Sequence, residues 1–121
     1  MTIRNVLIVD DSKTELMHLT SLLQQNGMQV RTAQSAEEAF RQLAEQKPDL
    51  ILMDVVMPGK NGFQLTRAIT REPDYADVPI IMCTSKSEET DRVWGLRQGA
   101  RDYITKPVDA AVLRAKIAAL N

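Results

Sequence analysis

The sequence predicts an α/β domain: a doubly wound parallel sheet of five strands, in order 2-1-3-4-5, with five helices covering its two faces. Three observations carry this. Short, nearly continuous apolar runs, "NVLIV" (5–9), "LILM" (50–53) and "PIIMC" (79–83), read as strands buried on both sides. Segments of helical period separate them, so the crossovers are helices and the strands run parallel. With 121 residues the chain suits one domain with a single sheet. Right-handed crossovers reach both faces only if the strand order reverses, and five strands commonly do so between the first and third.

After "NVLIV", Leu16, Leu19 and Leu23 form an apolar stripe, with Ser12 available to cap the helix and Gly27 placed to stop it. "MQVRTA" (28–33) alternates apolar and polar residues, as an edge strand with one wetter face does. "SAEE" (35–38) reads as a capping box that opens a second helix on Ala36, Ala39, Phe40 and Leu43. The third strand, "LILM", precedes a helix for which Asn61 is the N-cap. The fourth strand leads to a helix that Gly99 ends, in which Val93, Trp94 and Leu96 are expected to divide between core and surface. "DYIT" (102–105) is a weaker fifth strand, and Asp109 caps a last helix with Leu113, Ile117 and Leu120 inward. There is no internal repeat, low-complexity stretch or linker.

Composition narrows the function. A net charge of −1 leaves no basic footprint for nucleic acid. No apolar run nears the roughly 18 residues of a membrane span, and "MTIRN" is not a signal peptide. The single cysteine, Cys83, cannot make an internal disulfide, which points to the cytoplasm. Cys83 within a strand and His18 on the first helix read as core and surface residues, so soft-metal ligands are lacking.

The first strand ends in Asp10-Asp11 and the third in Asp54. Ligands of open α/β sheets bind beyond the carboxyl ends of the strands where the order reverses, so three carboxylates meet at the reserved place. Taken singly, each could be a helix cap or a solvated loop residue. Together they repel one another unless protonated or joined by a cation, and a hard divalent ion such as Mg²⁺ suits oxygen ligands best. The fourth strand brings Thr84 to the same rim, and the fifth brings Lys106. A hydroxyl and an ammonium beside a cation suit an oxyanion such as phosphoryl, which an aspartate can carry covalently. No "GxGxxG" or P-loop argues for a nucleotide.

The set "DD" (10–11), "D" (54) within "LILMDVVMPGKNG", "TS" (84–85) and "KP" (106–107) resembles the receiver domain of bacterial two-component response regulators, over essentially all of residues 1–121. The resemblance implies a flavodoxin-like fold and a signalling switch that is not an enzyme beyond slow self-phosphorylation and dephosphorylation. It implies that Asp54 is the phosphoacceptor and that Asp10, Asp11, Asp54 and the backbone carbonyl of Val56 hold Mg²⁺. Thr84 and Lys106 would grip the phosphoryl oxygens, Thr84 and Tyr103 would form the switch, and the Lys106–Pro107 peptide would be cis. The side chains of Val56 and Lys86 would flank the path of the hydrolytic water. The partners implied are a histidine kinase or histidine phosphotransfer domain and a downstream protein reached through the face of helix 4, strand 5 and helix 5. "TSKSEETDRVWGLRQGARDYITKPV" is similar to receivers of type IV pilus chemosensory systems, hence chemotaxis or twitching motility. With the sequence ending just after the last helix, a stand-alone, monomeric receiver is expected. A Mg²⁺-dependent phosphatase would place its nucleophile in a "DxD" on the first strand. A flavodoxin-like cofactor carrier would need a phosphate loop where "DDSKTE" stands.

Overall fold

A computed structural model describes residues 2–121. The elements follow as β1 (Asn5–Val9), α1 (Lys13–Gln24), β2 (Gln29–Ala33), α2 (Ala36–Glu45), β3 (Leu50–Met53), α3 (Gly62–Arg71), β4 (Ile80–Thr84), α4 (Glu89–Arg97), β5 (Asp102–Thr105) and α5 (Ala110–Leu120). The five strands pair in parallel in the order β2-β1-β3-β4-β5, as the sequence predicts.

Alternation along the strands feeds two cores. Leu7, Val9, Ile51, Met53, Ile80 and Met82 face Ala39 and Leu43 of α2 and Leu65 and Ile69 of α3. Val6, Ile8, Leu50, Leu52, Ile81 and Cys83 face Leu16, Leu19 and Leu23 of α1 and Leu113 and Ile117 of α5. Each fully buried aliphatic side chain contributes roughly 1.5–3 kcal/mol, so β1, β3 and β4 hold the fold. β2 is the wetter edge that its alternation predicts.

Most helix ends are as read. Ser12, Asn61 and Asp109 cap α1, α3 and α5 through their side chains, and Gly27 and Gly99 have positive φ. "SAEE" departs in one respect: Ser35 accepts the Glu38 N–H, but the Glu38 carboxylate takes the N–H of Gln34, one residue short of a closed box. β4 begins at Ile80 because Pro79 has no N–H, although the Pro79 carbonyl still accepts from Ile51 at 3.0 Å.

Candidate functional site

Three residues of the site stand one step beyond a strand, each held by one more backbone bond of the sheet. The N–H of Asp10 donates to Ala33 (3.0 Å), that of Asp54 to Val9 (2.9 Å) and that of Lys106 to Thr84 (2.8 Å). Strand register therefore sets their side chains side by side before any side-chain interaction is counted. Thr84 closes β4 and is wholly buried.

Asp10 and Asp54 are both buried, and Lys106 is only 15% exposed at its side chain. The Lys106 ammonium donates to Asp10 Oδ2 at 2.6 Å and lies 3.7 Å from Asp54 Oδ1. Asp10 Oδ1 accepts the N–H of Ser12 at 2.9 Å, so this carboxylate is engaged on both sides. Asp54 Oδ1 accepts the N–H of Val55 at 2.9 Å. Burial lifts the Asp54 pKa above the usual carboxylate value and the charge of Asp10 adds to it, against Lys106, the Thr84 hydroxyl and the Val55 amide. Burial works against the charge of Lys106, yet its bond to Asp10 and the charges of Asp54, Asp10 and Glu15 outweigh it and raise its pKa.

Oxygens of Asp10, Asp11 and Asp54 all lie within 4.8 Å of one another. Asp11 is exposed, and so is the side chain of Val56. Three hard oxygen donors beside one ammonium leave an excess of negative charge. A divalent cation with oxygen preference fits that donor set.

The other half of the rim is built on main chain. The hydroxyl of Thr84 accepts the N–H of Lys86 at 3.3 Å, and the hydroxyl of Tyr103 donates to the carbonyl of Lys86 at 2.7 Å. Tyr103 is 7% exposed and belongs to the core under α4. Burial, with the charges of Asp91 and Asp54, pushes its phenol up to about 12. The Lys86 ammonium turns to Asp91 at 3.9 Å. The Lys106–Pro107 peptide is cis, as the resemblance implies. Cys83 is buried, its thiol pushed up by burial to about 12, and His18 is exposed.

Sequence reasoning missed two residues. Gly62 opens α3 directly against Asp54: an added Cβ would stand 1.9 Å from its carbonyl oxygen. Glu15, three residues after the α1 cap, carries a buried carboxylate oxygen with no hydrogen-bond partner. "SKTE" is a capping-box signature and could have drawn attention to it.

The family of the response regulator receiver domain matches residues 6–118 of the chain. The chain is 51% identical over 108 residues to Protein PilH of Pseudomonas aeruginosa, covering 89% of each. It is 42% identical to the phosphate regulon transcriptional regulatory protein PhoB of Escherichia coli, spanning 97% of this chain but about half (51%) of that protein. A crystal structure of a putative response regulator from Chloroflexus aurantiacus superposes with a TM-score of 0.93 at 32% identity, over 98% of both chains.

Proposed function

The chain belongs to the response regulator receiver family, and from that premise we propose that it is a phosphoryl-accepting switch with Asp54 as acceptor. One observation carries the reading. The strand ends set Asp10, Asp54 and Lys106 in one charged group in which the ammonium already reaches both carboxylates, at 2.6 and 3.7 Å. Strand register fixes that arrangement, so it stands ready for an oxyanion on Asp54.

Asp54 attacks the phosphorus of a phosphohistidine on a kinase or phosphotransfer domain. The new bond joins phosphorus to a carboxylate oxygen, while the P–N bond breaks and its electron pair leaves with the imidazole. Asp10, Asp11, Asp54 and the Val56 carbonyl would hold Mg²⁺. Bound there, its charge would neutralise phosphoryl oxygens. Lys106 exchanges Asp10 for a phosphoryl oxygen. The Thr84 oxygen accepts from Lys86, which leaves its one hydrogen to donate to another.

The same joint passes the signal on. Thr84 and Tyr103 both bind the main chain of Lys86, so a hydroxyl drawn toward Asp54 pulls the loop to which Tyr103 is tied. α4 lies over that ring, and its exposed Val93 and Trp94 offer the surface for a downstream protein. Likeness to Protein PilH supports a place in pilus-linked chemotaxis or twitching motility. No helix among the described residues is long and apolar enough to cross a membrane.

Acetyl phosphate and Mg²⁺ should add one phosphoryl group at Asp54, read by mass and peptide mapping, and Asp54→Asn should abolish it. Equal labelling of that variant elsewhere would overturn the assignment. The same variant tests the electrostatics. A carboxyl whose folded pKa is raised favours the fold below its unfolded value and loses that benefit as pH climbs through the folded one. Without Mg²⁺, Asp54→Asn should therefore be more stable than the parent at neutral pH, with the gain shrinking below about pH 4. Asp11→Ala should gain less, because Asp11 is exposed and its repulsion screened.

A further inference from the structure

β2 pairs with β1 on one side only and leaves its other side open. Two bonds fix which of its main-chain groups face inward. The Gln29 N–H donates to the Arg4 carbonyl at 2.8 Å, and the Ala33 carbonyl accepts the Asp10 N–H at 3.0 Å. The N–H and C=O of one strand residue point the same way, and that direction alternates along the strand. Gln29, Arg31 and Ala33 therefore face β1, in register with Asn5, Leu7 and Val9. The N–H and C=O of Val30 and Thr32 face outward, and no group among the described residues pairs with them. Such an edge is a template for another strand.

The two faces beside this edge differ in chemistry. On the α1 face, the Thr32 side chain joins Leu16, Met17 and Thr20 in a groove of about 360 Å³. Met17, 74% exposed, is the most exposed large apolar side chain among the described residues. On the α2 face, Arg31 donates to the Gln42 carbonyl at 2.7 Å, to Gln42 Oε1 at 3.1 Å and to the Gln46 carbonyl at 2.6 Å. All of these acceptors are neutral, and no carboxylate among the described residues pairs with Arg31. A guanidinium has five N–H donors, so it still has donors to spend on an anion.

A strand added antiparallel to this edge would exchange both main-chain bonds with Val30 and both with Thr32. Cross-strand neighbours share a face of the sheet. Its residues opposite Val30 and Thr32 would thus point to the α1 groove, and the residue between them to the face of Arg31. A second copy of this chain fits badly there. That pairing sets Arg31 opposite Arg31, and like charges directly opposite are destabilising.

We propose that the β2 edge docks an extended segment of a partner protein with the pattern apolar–acidic–apolar. Its main chain pairs with Val30 and Thr32, its apolar side chains enter the groove beside Met17, and its carboxylate meets Arg31. The site uses neither metal nor phosphoryl group, so it stands or falls apart from the role of Asp54.

NMR titration of the isotope-labelled chain without Mg²⁺ tests it, with a capped peptide of alternating isoleucine and glutamate as the probe. Saturable shifts should appear at the amides of Val30 and Thr32 and at Met17 and Thr20 of α1, with α4 and α5 silent. Lysine in place of the peptide's glutamate should weaken binding about tenfold, the swing from an opposite to a like charge across a strand pair. Thr32→Pro should abolish binding, because it removes an outward N–H from an edge strand, where proline is tolerated. Met17→Asp, at an exposed position whose change does not threaten the fold, should weaken binding several-fold. Shifts that bypass β2, no saturation at millimolar peptide, equal binding of the lysine peptide, or affinity untouched by Met17→Asp would each overturn the site. Sedimentation of the free chain as a dimer, with the Val30 and Thr32 amides broadened, would also overturn it and give the edge to a second copy.

Discussion

α3 and α4 lie on the same face of the sheet, and both meet the strands through a glycine. Their attachments differ. α3 opens with a closed capping box, in which Asn61 accepts from Gln64 N–H at 2.9 Å and Gln64 accepts from Asn61 N–H at 3.0 Å. It then buries Gly62, Leu65, Thr66 and Ile69. α4 has no side-chain cap at Glu88, and of its nine residues only Gly95 is buried. Val93 and Trp94, which could have anchored it, are 39% and 48% exposed. The helix beside Asp54 is a fixed frame, whereas the helix beside Tyr103 rests on the sheet with little to hold it. Local stability varies within a fold in this way, and elements that must move come from its weak end.

Gly62→Ala is the hardest blow to that frame. Its Cβ would meet the Asp54 carbonyl oxygen at 1.9 Å and the carbonyl carbon at 2.8 Å, all backbone that cannot rotate away. The N–H of Gly62 also donates to Val55 at 2.9 Å, so retreat would break the link between α3 and the loop after Asp54. The expected loss is about 3 kcal/mol or more in urea denaturation, with labelling of Asp54 falling in parallel. A stable, normally labelled variant would mean that α3 yields as readily as α4, and the contrast would fail.

Tyr103→Phe should act on the soft side and more gently. It removes one hydroxyl that donates to Lys86 at 2.7 Å and leaves that carbonyl to find water, a change of about 1 kcal/mol. Labelling by acetyl phosphate should persist, because Asp10, Asp54, Thr84 and Lys106 are untouched. Partner binding on phosphorylation should weaken. Equal loss of labelling and of binding would place Tyr103 in the chemistry and not downstream of it.

Much of this was legible in the chain. Apolar runs, one alternating strand, three helical stripes and the cap and stop residues Asn61 and Gly99 placed all ten elements, and the switch-point rule sent Asp10, Asp11, Asp54, Thr84 and Lys106 to one rim because each stands at or just past a strand end. What escaped was close approach. Nothing local to "KNG" says that Gly62 stands against a carbonyl eight residues back in the chain, and nothing in "VWGLR" says that the glycine, and neither apolar neighbour, faces the sheet. "SAEE" and "SKTE" are the same signature with different outcomes. In each, which N–H the glutamate meets depends on a competitor, such as Asp10 at Ser12, that the four-residue pattern does not contain.

Gly95→Ala should have the smallest effect on stability and say most about α4. Glycine inside a helix costs about 1 kcal/mol relative to alanine, so propensity favours the change. Packing opposes it: the new Cβ would stand 2.7 Å from Met82 Sδ and 3.3 Å from two carbons of the Tyr103 ring. Methionine adapts to such intrusions, but Met82 is fully buried and the ring is held through its hydroxyl to Lys86. Overpacking of this kind costs about 1–3 kcal/mol where nothing can move and less where something can. α4 can move, being uncapped and unanchored, so it should rise from the sheet and the two terms should nearly cancel. The expected result is a global stability within about 1 kcal/mol of the parent. Hydrogen exchange should meanwhile quicken in the α4 amides and stay unchanged in those of α3. A large global loss with α4 protection intact would show instead that α4 is clamped to the sheet, and that the tyrosine must move without it.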